Sequence, residues 1–168
     1  MTFEIVAQAL ISGLLMGLIY ALLASGLALI FGLMDVVNFA HGDFLMVGMY
    51  VMFALVLFTG VDPLLLAPLV TLALFAFGAA VYLGIMRFAM RAKTNRGMVQ
   101  VFTTFGLGLL LQGLAQAIFT PDYRTVDGGI VGGKVLEVAG MFLPLPQVVG
   151  AAISLGAFGL IWLIINKT

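Results

Sequence analysis

Hydrophobic positions along this chain come in long runs, divided by short polar stretches. The first run extends from Ile5 to Met34 without a charge. As a straight helix it would reach roughly 45 Å, against a hydrocarbon core of about 30 Å. It is therefore expected to tilt, to extend beyond the core, or to break before its end. A polar knot follows, Asp35-Val36-Val37-Asn38-Phe39-Ala40-His41-Gly42-Asp43, and a second run leads from Phe44 to about Gly60. Asp43 stands where an N-cap of that second helix would satisfy free backbone N–H groups. Gly60-Val61-Asp62-Pro63 reads as a turn, because proline and its predecessor both resist helix. The third run covers Leu64 to Met86, the fourth Val99 to Phe119 and the fifth Gln147 to Ile165.

This pattern predicts an all-α integral membrane protein, one membrane domain over 1–168. It has about five transmembrane helices, with a broken or re-entrant segment after the first. The spans are expected near 8–33, 44–60, 64–86, 99–119 and 147–165. Between the last two lies a long polar connection, 120–146, in which the alternation Lys134-Val135-Leu136-Glu137-Val138 points to a short strand or hairpin. Small residues recur one turn apart at Gly13 and Gly17, and again at Ala80 and Gly84. Such stripes let a neighbouring helix approach closely in lipid.

Composition agrees with the pattern. The chain is 64% hydrophobic and 8% charged, and its mean hydropathy is +1.26. Soluble domains carry about 25% charged residues. The net charge of zero lacks the basic footprint that nucleic acid requires. No cysteine is present, so disulfides, thiolate metal sites and thiol catalysis are excluded. The residues before the first run include Glu4 and no basic residue, unlike a signal peptide, so the first span is expected to be retained.

Charge placement sets the expected topology. Arg87, Arg91, Lys93 and Arg96 lie together without an acid, four of the seven basic residues. The positive-inside rule puts the loop 87–98 in the cytoplasm; a basic surface for lipid head groups is the minor alternative. The connection 120–146 is then external, the N-terminus outside and the C-terminus, with Lys167, cytoplasmic.

The candidate chemistry lies in the knot and on the fourth span. Asp35, His41 and Asp43 make a weak metal pattern with no second cluster to complete a shell, so no metal is expected. No serine sits in an elbow motif near His41, and no catalytic constellation emerges. Asn38, His41, Gly42 and Asp43 fit a break in a helix, as transporters use near a substrate path. Each also has a plain structural reading as cap, turn or carbonyl partner. Thr104, Gly108, Gln112 and Gln116 share one face of the fourth span. The two glutamines either bond across the bundle or line a wet path.

The wording of these segments adds a resemblance. Tyr20-Ala21-Leu22-Leu23-Ala24-Ser25-Gly26-Leu27-Ala28-Leu29-Ile30-Phe31-Gly32 is followed by Val37-Asn38-Phe39-Ala40-His41-Gly42-Asp43 and by Gly48-Met49-Tyr50. Together they closely resemble the permease subunits of branched-chain amino acid ABC importers. Arg87-Phe88-Ala89-Met90-Arg91 and Phe105-Gly106-Leu107-Gly108-Leu109-Leu110-Leu111-Gln112 are similar to that family's next loop and helix. Met86, Met90, Ala92 and Asp35 depart from its usual residues. The resemblance implies an inner-membrane importer subunit of which this chain is the N-terminal portion. It implies a pathway shared with a second permease subunit, an extracytoplasmic substrate-binding protein and two ATPase subunits. ATP would be bound by those partners, since no G-x-x-x-x-G-K-[ST] motif occurs here. Asn38, His41, Gly42, Asp43, Gln112 and Gln116 would then lie along the substrate path. Three other readings stay open: a urea or short-amide permease, a non-transporting half-permease scaffold, and a small channel.

Overall fold

The computed structural model describes residues 2–34, 36–120, 125–126, 129–138 and 140–167. Asp35 of the knot and Pro121, Asp122, Arg124 and Asp127 of the long connection lie outside the described residues. Among the described residues, five helices are long and apolar enough to cross a membrane: Ile5–Leu33, His41–Thr59, Pro63–Met90, Arg96–Phe119 and Leu145–Lys167. The protein is an all-α integral membrane protein. Its residues divide into two compact units, one made of Met1–Gly26 with Asp127–Thr168, the other of Leu27–Val126.

The first run forms one helix, α1, Thr2–Met34, of 33 residues. The chain leaves helix only after Met34 and re-enters it at α2, His41–Thr59. The turn after α2 is built as its residues require. Gly60 closes the helix with a left-handed φ of 65°, and its N–H reaches Val56 O at 2.8 Å. A side chain there would be strained, whereas glycine is not. The Asp62 carboxylate then accepts from Leu64 N at 2.8 Å and caps α3, Pro63–Val81. Pro63 at the first helical position has no N–H to satisfy.

The third helix does not end where the charges begin. After α3 it passes through a π-helical turn, Tyr82–Met86, into α4, Arg87–Met90. Arg87 is thus helical and half-buried, and only 91–95 separates α4 from α5, Arg96–Phe119. Arginine favours helix, and no glycine or proline interrupts the chain from Ile85 to Arg96. Charge marks a water boundary and need not mark a helix end.

Around these helices the core of the Leu27–Val126 unit gathers at the chain break. Val36 and Ala40 from the break pack with Val81, Met86, Leu107 and Leu111. Ala40 is fully buried, at 0% exposure. α2 also packs against both neighbours. The Phe44 and Phe77 rings lie 5.6 Å apart, and Tyr50 stacks on Phe119 at 4.4 Å. Gly48 lets Leu74 approach, its Cδ1 lying 2.9 Å from where a Cβ would stand.

In the other unit the alternation at 134–138 is a strand. β1, Val135–Val138, pairs antiparallel with β2, Met141–Pro144, through a turn that includes Gly140 at φ 77°. Leu145 N donates to Lys134 O at 2.9 Å and closes the base. α6, Leu145–Lys167, follows directly. Gln8 Nε2 on α1 donates to Phe142 O at 3.2 Å, and Gly150 on α6 receives Ile19 of α1 at 3.0 Å from its missing Cβ. The small residues singled out in the sequence make no such approach. A Cβ at Gly13, Gly17 or Gly84 would meet nothing within 4 Å, and Ala80 is exposed.

Candidate functional site: a helix break pinned by one polar stripe

Leaving helix at 36–40 frees backbone groups that a helix would pair internally. In an apolar bundle each must find another partner. α5 supplies them. Val37 N donates to Gln100 Oε1 at 3.4 Å, and Phe39 N donates to Thr104 Oγ1 at 3.1 Å. Ala40 N donates to the Asn38 side chain, Oδ1, at 3.1 Å, a local turn typical of asparagine. Helix bonding resumes when Phe44 N donates to Ala40 O at 3.1 Å.

Thr104 holds a particular position in this arrangement. It is 0% exposed, and Gln100 is 2% exposed. The Thr104 hydroxyl accepts from Phe39 N and donates to its own helix, with Gln100 O at 2.9 Å and Val101 O at 3.1 Å. A hydroxyl offers one donor and two acceptor sites, so it can serve both helix and break at once. Valine has the same shape and can do neither.

Two turns along, the same stripe meets the start of α2. Gln112 Nε2 donates to Asp43 Oδ1 at 2.8 Å. The other carboxylate oxygen, Oδ2, lies against Gly108, in the space that a Cβ would fill. Ala40 Cα stands 3.9 Å from the same point. Gly108 is therefore a socket for the Asp43 carboxylate.

This corrects the expected role of Asp43. The helix begins at His41 and its N-cap residue is Ala40, which makes no side-chain cap. Asp43 lies in the first turn instead. A carboxylate there complements the positive end of the helix, and its oxygens are left free to bond outward to α5.

The remaining candidates separate. Asn38 and His41 line a cavity of about 700 Å³ between the break, α2 and α3. His41 is partly buried, Gly42 is exposed, and nothing lies within 4 Å of a Cβ placed on Gly42. Gln112 and Gln116 are both exposed, and of the two Gln112 is the one that bonds to the start of α2, through Asp43. Gln100 was not singled out in the sequence, although it lies one step of four before Thr104 on the same stripe. The arrangement as a whole fixes an irregular backbone between two helices and leaves polar groups beside it.

Comparison with known proteins places the chain in a family. A family profile described as the permease component of branched-chain amino acid transport systems matches residues 9–168. The high-affinity branched-chain amino acid transport system permease protein BraD of Pseudomonas aeruginosa is 32% identical over 110 residues, 62% of this chain and 36% of that one. LivH of Escherichia coli K12 and LivH of Salmonella typhimurium, permease proteins of the same description, are each 28% identical over 110 residues with the same coverage. The match thus spans little more than a third of the length of these curated relatives. No solved structure is significantly similar. With a match over nearly its whole length, the chain belongs to the family of branched-chain amino acid transport system permease components.

Proposed function

We propose that this chain forms part of the membrane pathway of an ATP-driven importer of branched-chain amino acids. The observation that carries the reading is the break at 36–40, whose backbone is held by Gln100 and Thr104. A pathway for a small zwitterion needs polar groups at membrane depth that are fixed in place and already partnered. Asn38 and His41 supply such groups on one side of the break and Gln112 on the other. Asp43 already supplies the negative charge favoured at the start of α2. The break is therefore a polar wall along which the solute passes, and it does not clamp the solute's carboxylate. Gly42, in the first turn of α2, continues this wall, whereas Gln116 lies further round α5 and is left out of it.

The family supports the rest of the assembly. A second permease subunit completes the path, two ATPase subunits bind and hydrolyse ATP, and an extracytoplasmic protein delivers the solute. The chain lies in the plasma (inner) membrane. Arg87, Arg91, Lys93 and Arg96 set the cytoplasmic side, which leaves the N-terminus outside and the C-terminus inside. Gly13, Gly17, Ala80 and Gly84 are left open for helices beyond those described here.

The test is uptake of radiolabelled leucine by proteoliposomes holding the chain assembled with its ATPase and binding protein. Asn38→Ala and His41→Ala are expected to slow ATP-dependent uptake while assembly and ATP binding persist. Unchanged uptake in both variants would sink the assignment of these residues to the path.

A further inference from the structure

The five spanning helices contain a single acidic residue, Asp43. Its depth can be read from its partners. α5 has 24 residues, about 36 Å as a helix, enough to cover a hydrocarbon core of about 30 Å. Gly108, which seats Oδ2 of Asp43, lies about 18 Å along α5 from Arg96, and Gln112, which bonds Oδ1, about 24 Å. The carboxylate is therefore held near the middle of the span.

Carboxylates at such depth are rare, and they pair with a cation or serve one. Asp43 has no cation of its own. Among the described residues its oxygens meet the Gln112 amide and Gly108, and both are neutral. His41 lies two residues earlier, about 200° around α2, and lines the cavity toward α3. The start of α2 offsets only part of the charge, about half of one.

The charge is also presented in a fixed way. Gln112 holds one oxygen, and the missing side chain of Gly108 makes room for the other. A carboxylate offers about four acceptor sites, and Gln112 occupies one of them. Asp43 is half-buried while Gly42 and Gln112 beside it are exposed, so its free edge borders open space.

We propose that Asp43 receives the ammonium group of the transported solute. An ammonium brings three N–H donors and the positive charge that this depth lacks. The inference rests on the solute path proposed above and names the group recognised along it. Solutes with a primary ammonium engage Asp43. Neutral amides offer N–H donors without the charge, and simple carboxylates are repelled.

The test uses the chain assembled with its second permease subunit and ATPase in phosphatidylcholine nanodiscs, and the same complex with its binding protein in proteoliposomes. The probes are 3-methylbutylamine, which is leucine without its carboxylate, and 4-methylpentanoate, which is leucine without its ammonium. Saturation-transfer NMR on the nanodiscs reads their binding, and the proteoliposomes report leucine uptake. The wild-type complex is expected to bind the amine at least about tenfold more tightly than the acid, the worth of one hydrogen bond to a charged group. Asp43→Asn keeps an acceptor for Gln112 and the shape at Gly108 but removes the charge. It should erase the preference and slow leucine uptake about tenfold or more, and Asp43→Glu should restore part of both. An amine preference that survives Asp43→Asn would overturn the proposal, as would leucine uptake unchanged in that variant. Loss of the second permease subunit from Asp43→Asn complexes would also overturn it, since the cation would then come from a partner helix. A wild-type complex that carries no leucine yet shows an amine preference erased by Asp43→Asn would uphold the ammonium site and sink the branched-chain reading instead.

Discussion

Replacing Gly108 by alanine tests the fit between α5 and the start of α2. The added methyl would occupy the space of the Asp43 carboxylate oxygen, so the carboxylate must swing away. Its bond to Gln112 is lost with that movement. A hydrogen bond to a charged group contributes about 1.5–3 kcal/mol, and partial exposure puts this one at the lower end. Crowding of a packed site adds about 1–3 kcal/mol, and the better helix propensity of alanine returns about 1 kcal/mol. Gly108→Ala should therefore destabilise the protein by roughly 2–3 kcal/mol. In an Asp43→Ala background nothing blocks the methyl, and the same substitution should be neutral or stabilising by up to about 1 kcal/mol. The four proteins of this cycle can be compared by reversible unfolding in mixed micelles, which gives a coupling energy for the pair. If the cost of Gly108→Ala were the same with and without Asp43, to within about 0.5 kcal/mol, the socket would not exist.

Three further outcomes follow from the same geometry. Thr104→Val should cost about 1–3 kcal/mol in the same unfolding assay, because Phe39 N loses its acceptor, whereas Thr104→Ser should retain most of the stability. Gly60→Ala should cost about 1 kcal/mol, since the residue there has a φ of 65°, and Gly60→Asn should be milder; thermal melts of the two variants rank them. Gln100→Leu should raise hydrogen exchange at the Val37 amide by about fivefold or more while leaving α5 amides protected, as read by mass spectrometry of peptides covering 33–44.

Much of this molecule is legible in the sequence, for identifiable reasons. Long uncharged runs bounded by polar residues admit few structures other than membrane helices, and the Gly60-Val61-Asp62-Pro63 turn is dictated by its own residues. The β-hairpin shows in the alternation at 134–138. The polar stripe shows in its spacing, because recurrence every fourth residue survives on a helix whatever packs against it. The partners of the stripe do not show there. That Gly108 receives Asp43 depends on where α2 starts, and Ala40, not Asp43, sets that start. The end of the third helix was hidden for a related reason. Arginines at the close of an apolar run signal the approach to water, yet the helix runs on through the π-turn and past Arg87 to Met90. The stripe also drifts. Steps of four residues turn about 40° beyond a full revolution, so Gln116 stands roughly 160° around α5 from Gln100. Gln100 and Thr104 meet the break, Gln112 meets Asp43 at the start of α2, and Gln116 has turned past both.

That obliquity has a mechanical meaning. The break is fastened to α5 at Gln100 and Thr104, and the first turn of α2 is fastened to it at Gln112. A slide or twist of α5 against its neighbours would have to break these bonds. Both ends of α5 carry a non-glycine residue with positive φ, Asn95 at 49° and Thr120 at 62°, and no other such residue occurs among those described. The backbone thus takes an uncommon conformation on either side of the helix that holds the break, and a change in the tilt of α5 would be taken up at Asn95 and Thr120 and would spare the break itself.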